Sequence, residues 1–87
     1  MTDIKVLNEI AIKGAGYLAS LGVKRKDIFK IEHLITGKGT LLTFHANIRY
    51  DELTQPEQYD YAVPSMDLNS LKNLVHLIRV KMDQLEK

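Results

Sequence analysis

The chain contains no cysteine. That excludes disulfide scaffolds, thiolate metal sites and cysteine nucleophiles together. Small secreted domains usually depend on such staples, so their absence predicts a cytoplasmic protein. Charge of neither sign dominates: twelve Lys and Arg stand against eleven Asp and Glu, a formal +1. Nothing in that balance demands nucleic acid or an acidic membrane surface as partner. Long apolar runs are missing too. The most apolar stretch, Ile10 to Val23, is interrupted by Lys13 and is too short to span a bilayer. The start, Met1-Thr2-Asp3-Ile4-Lys5, has neither the basic region nor the apolar stretch of a signal peptide. No repeat, low-complexity tract or linker interrupts the chain, and no membrane partner is expected.

What is present fits one compact domain over residues 1–87. Eighty-seven residues bury a modest fraction of their surface, so most of the 45% that are hydrophobic are needed for a single core. A charged fraction of 26% is ordinary for a folded domain.

Alternation between residues 28 and 50 gives the firmest element. Phe29, Ile31, His33 and Ile35 alternate with polar or mixed neighbours, and Gly37-Lys38-Gly39 breaks the run. Leu42, Phe44, Ala46, Ile48 and Tyr50 then alternate in the opposite parity. A tight turn at Lys38-Gly39 would set Phe29 opposite Ile48, Ile31 opposite Ala46, His33 opposite Phe44 and Ile35 opposite Leu42. A third strand is predicted over Tyr59 to Val63, after a turn at Leu53-Thr54-Gln55-Pro56. It would pair Tyr50 with Tyr59, Ile48 with Tyr61 and Ala46 with Val63. Pro64 ends it.

Helices flank this meander. The first should start at Thr2 or Asp3 and stop at Gly22. Its apolar face carries Ile4, Leu7, Ile10, Ala11, Gly14, Leu18 and Leu21, with Tyr17 at the edge. Gly14 and Gly16 each weaken a helix by about 1 kcal/mol relative to alanine, so a close approach of the sheet is expected at Gly14. The last helix should start near Ser65 or Asp67. Its seam, Leu68, Leu71, Val75, Ile78, Met82 and Leu85, is widened by Leu74. The predicted class is α+β: helix, three-stranded antiparallel meander, helix (αβββα), with both helices on one face of the sheet.

Catalytic motifs do not assemble. Gly37-Lys38-Gly39-Thr40 lacks the earlier glycine of a phosphate-binding loop, since His33 stands there, and strands flank it on both sides. Gly14-Ala15-Gly16 lies inside a helix instead of opening one after a strand, so it is no dinucleotide fingerprint. His33 and His45 face opposite sides of the hairpin, with His45 opposite Glu32, and His76 belongs to the polar side of the last helix. Ser20, Ser65 and Ser70 lack a nucleophile elbow. No enzyme activity, cofactor or metal is expected.

The element order is shared with the double-stranded-RNA-binding domain. That family, however, carries a basic run at the start of its last helix, where this chain has Asp67-Leu68-Asn69-Ser70. Nucleic-acid binding is therefore the alternative function. It would use Lys24, Arg25 and Lys26 of the loop between the first helix and first strand, with Lys72, Arg79 and Lys81 of the last helix.

Protein binding is the principal expectation. Segment 51–60 carries Asp51, Glu52, Glu57 and Asp60 without a basic residue, and Tyr50, Tyr59 and Tyr61 flank or enter it. Tyrosines supply rigid contact area, and acidic neighbours steer toward a basic surface. Leu77 and Val80 stand outside the main seam of the last helix and are a candidate dimer contact. The predicted protein is thus a small non-enzymatic, protein-binding regulator or inhibitor acting by surface occlusion. An inhibitor of phage or mobile-element type is one such setting, with a homodimer as its expected state.

Overall fold

A computed structural model describes residues 3–86. The elements are α1 (Ile4–Ser20), a single 3-10 turn (Arg25–Asp27), β1 (Ile28–Thr36), β2 (Gly39–Tyr50), β3 (Leu53–Val63) and α2 (Leu68–Leu85). The strands form one antiparallel sheet in the order β1-β2-β3. The chain is an αβββα fold.

Local chemistry accounts for the helix ends. The Asp3 side chain accepts from the Lys5 backbone N–H at 2.9 Å, capping α1. Gly22, at φ 81°, takes the left-handed position just beyond its end. Thr2, the other expected cap, lies outside the described residues. Asp67 precedes α2 and accepts a 2.6 Å hydrogen bond from the Ser70 hydroxyl, which holds its carboxyl below the usual range.

The core lies between the helices and the even-numbered residues of β2. Leu7, Ala11 and Leu18 of α1 join Leu71, Leu74 and Ile78 of α2 in one cluster with Leu42, Phe44 and Ala46. The helices run side by side in the same direction. Ile4 and Leu7 share a crevice with Asp67 and Ser70, and at the other end Gly22 and Val23 share one with Met82 and Leu85. The packed stripes are shorter than the periodicity implies: Ile4, Leu21, Leu68 and Leu85 at the helix ends are exposed. Among the described residues, no helix is long and apolar enough to cross a membrane.

Three details of the sheet differ from the expected ones. The first turn is Gly37-Lys38, so Ile31 pairs with Phe44, His33 with Leu42 and Thr36 with Gly39. Gly39 belongs to β2 through its pairing with Thr36, and only glycine fits there: its φ is 153°, and a β-carbon would lie 2.6 Å from the Val63 carbonyl oxygen. Thr36 holds the turn, its hydroxyl accepting from Lys38 N–H and donating to the Gly39 carbonyl.

Second, a bulge between Ile28 and Lys30 turns Phe29 out of the core. Ile28 then pairs with Ala46 and Lys30 with His45. Phe29 is 56% exposed, and its ring stands 6.0 Å from that of His45 on the face away from the helices.

Third, β3 begins six residues earlier than expected, after the turn Asp51-Glu52. Tyr50 pairs with Leu53, Phe44 with Tyr59 and Leu42 with Tyr61. Pro56 is no turn residue but a strand residue opposite Asn47. It is tolerated because β3 is an edge strand, where a missing N–H disrupts no ladder.

Candidate protein-binding surface

Odd-numbered residues of β3 face α1 and even-numbered ones face the other way, which divides the acidic segment. Tyr61 reaches α1: its hydroxyl donates to the Ile10 carbonyl at 3.2 Å, and its ring stacks on Tyr17 with centroids 5.9 Å apart. Burial pushes its hydroxyl pKa up. Tyr59 is half-buried against the core cluster. Its hydroxyl is also pushed up, first by burial and then by Tyr50, Glu57 and Tyr17 nearby. Tyr50 completes the series by donating to Glu57 Oε1 at 3.5 Å.

All four tyrosines of the chain therefore lie along one edge, from the flank of α1 to the tip of the β2–β3 hairpin. Toward the tip the surface opens, with Tyr50 49% and Leu53 66% exposed. β1 reaches only to the pairing of Ile28 with Ala46, so β2 and β3 continue beyond it as a two-stranded arm. Asp51 turns the arm in a left-handed conformation, φ 54°, which aspartate tolerates better than most residues. Arg49 Nε donates to the Asp51 carbonyl at 3.0 Å and steadies the turn.

Of the residues expected to bind protein, Tyr50, Asp51, Glu52, Glu57 and Tyr59 share this arm and its inner side. Asp60 does not: it projects from the other face and accepts from the Thr43 hydroxyl at 2.8 Å. Tyr61 supports the site from beneath, against α1. Tyr17 belongs to the surface although the acidic segment gave no hint of it. Its signal was its place at the edge of the apolar face, one turn after Gly14.

The basic residues are distributed differently. Lys72 and Arg79 line a cleft of about 260 Å³ between α2 and β1, together with His33 and His76. Lys81 lies on the other flank of α2, in a crevice with Ile12 and Gly16. Arg25 is drawn to the end of α2, its Nε 3.5 Å from Asp83 Oδ2 and its backbone N–H donating to Glu86 Oε1 at 2.8 Å. Lys24 and Lys26 flank it and are exposed. Leu77 and Val80 are both half-buried, and Leu77 packs against the core cluster.

The sheet face away from the helices exposes Phe29 and Leu34 among polar groups, several of which pair with one another. Glu32 Oε1 lies 2.6 Å from His45 Nε2 and 3.5 Å from Lys30 Nζ, and these neighbours hold its carboxyl below the usual range. The Glu32–His45 contact is diagonal, because the direct partner of His45 is Lys30. Among the described residues, no three His, Cys, Asp or Glu side chains come close enough to hold a metal ion. No protein-family model matches the chain, and no curated protein or solved structure is significantly similar to it.

Proposed function

We propose that the protein is a non-enzymatic regulator that binds a protein partner and covers a basic surface on it. The observation that carries this reading is the convergence of Tyr17, Tyr50, Tyr59 and Glu57 on one edge, ending in an acidic arm. Partly exposed tyrosines offer large, rigid contact area at low entropic cost. Asp51, Glu52 and Glu57 at the exposed end steer a basic partner toward that contact. The projecting arm suits occlusion, since a narrow ribbon can enter a concave site. The cytoplasm is the compartment assigned, from the lack of cysteine.

Nucleic-acid binding is the weaker reading, because Lys81 and Arg25 do not join Lys72 and Arg79 in the cleft.

The test compares wild type with an Asp51→Asn, Glu52→Lys, Glu57→Lys variant as bait in nuclease-treated lysate. Asparagine is chosen at position 51 because it tolerates the left-handed backbone. A protein retained by wild type should associate about tenfold more slowly with the variant, as steering charges act mainly on the association rate. Equal capture and equal association rates would overturn the proposal. So would loss of every retained species on nuclease treatment.

A further inference from the structure

The second long edge of the molecule has the opposite character. β1 pairs with β2 alone, and from Lys30 to Thr36 its pairing is continuous. Among the described residues, its outer backbone groups have no strand beside them. Natural edge strands are usually blunted by brevity, proline, a bulge or a cover. Here the bulge at Phe29 blunts only the beginning, and Leu34 and Ile35 are 61% and 66% exposed.

Beside this edge runs the cleft under α2. Its floor is apolar, formed by buried Leu71 and half-buried Val75, with exposed Leu68 at the mouth. Its rim is basic: Lys72 and Arg79, with His33 across from them on β1 and His76 on α2. Among the described residues, no carboxylate lines it. Lys72 and Arg79 are seven residues apart on one stripe of the helix, about 10 Å along its axis. An added strand covers that distance in about three residues. Side chains two or four positions apart share one face of a strand, about 7 or 13 Å apart, so carboxylates at positions i and i+4 bracket that distance with an apolar position between them.

We infer that this cleft and the free edge of β1 together bind an extended acidic peptide, which adds to the sheet as a fourth strand. Main-chain hydrogen bonds to β1 supply register-independent affinity; on the face turned to α2, an apolar side chain enters over Leu71 and Val75 between two acidic ones that meet Lys72 and Arg79. Single-stranded nucleic acid fits less well. It has no main chain to pair with β1, and the tyrosines on which bases would stack lie on the opposite edge. A second copy pairing β1 to β1 would bring two basic rims together. This site is separate from the tyrosine edge and does not depend on it.

Fluorescence anisotropy tests the inference with labelled peptides whose alternate positions, which share one face of the strand, read glutamate, valine, glutamate with threonine between them. The same peptides with lysine in place of glutamate, and a uridine oligonucleotide, serve as comparisons. The acidic peptides should bind, and K72E/R79E should weaken them about tenfold or more. Both positions are exposed, so the fold should be retained, which circular dichroism checks. Amide resonances of Ile31 to Ile35 should shift on titration, and E52K/E57K should leave binding unchanged. No binding by any acidic peptide, or equal binding by the lysine peptides, would overturn it. So would an oligonucleotide that binds as tightly through Lys72 and Arg79, or self-association abolished by K72E/R79E.

Discussion

Tyr61 lies against Gly14 in the space a side chain would fill: a β-carbon on Gly14 would stand 2.9 Å from Tyr61 Cε2 and 3.4 Å from Ile78 Cδ1. The ring cannot easily withdraw. Its hydroxyl is bonded to the Ile10 carbonyl, and Tyr17 stacks on it. The close approach of α1 to β3 at this point is what places Tyr17 beside the tyrosines of the sheet, so a helix glycine indirectly shapes the candidate surface.

Gly14→Ala and Gly16→Ala should therefore have opposite effects. Both changes improve helix propensity by about 1 kcal/mol. At Gly16 nothing among the described residues lies within 4 Å of the added carbon, so the gain is realised. At Gly14 overpacking costs about 1–3 kcal/mol and outweighs it. Urea unfolding should show the first variant less stable than wild type and the second more stable. Equal shifts of the two midpoints would mean that α1 does not press on Tyr61.

Phe29 and Phe44 should respond differently to truncation, although both alternate with polar neighbours in the sequence. Phe44 is fully buried, and Phe44→Ala should cost about 3–5 kcal/mol. Phe29 is turned outward by the bulge, and Phe29→Ser should change stability by less than about 1 kcal/mol. A large loss at Phe29 would place it in the core and remove the bulge.

Ionisation of Tyr59 and Tyr61 should be linked to stability. The hydroxyls of Tyr59 and Tyr61 are raised in the folded state, so folding keeps protons that the unfolded chain gives up. Their contribution to stability is complete below the unfolded value of about 10 and declines as pH rises above it. Absorbance titration of the tyrosinate band should show a component from Tyr59 and Tyr61 ionising above the ordinary tyrosine range, with stability falling in the same range. Absence of that late component would contradict the packing of Tyr59 and Tyr61.

The faces of the sheet were legible in the sequence even where the pairing was not. The β2–β3 register lies six residues from the expected one, an even number, so Tyr59, Tyr61 and Val63 kept their side. The turn itself was hidden. Pro56 looks like a turn residue until an edge strand is available to hold it, and Asp51 gives a weaker signal than glycine. Phe29 was misplaced because a bulge is set by tertiary fit and leaves no mark on the alternation of Phe29, Ile31 and His33. The acidic and tyrosine composition of the candidate surface was legible, whereas Asp60 fell away from it once strand parity applied. Tyr17 is distant in sequence and joins only through the packing of α1 on β3. The cleft beside β1 was not legible either, since His33 and Lys72 meet only when α2 lies along the strand.

The most direct test of the central proposal is to follow backbone amide resonances of the protein while the captured, nuclease-resistant partner is added. Shifts should concentrate at Tyr17, from Tyr50 to Glu57, and at Tyr59, and should shrink in the Asp51→Asn, Glu52→Lys, Glu57→Lys variant. Shifts that avoid this edge, or that are unchanged in the variant, would contradict partner recognition by the tyrosine-rich acidic arm.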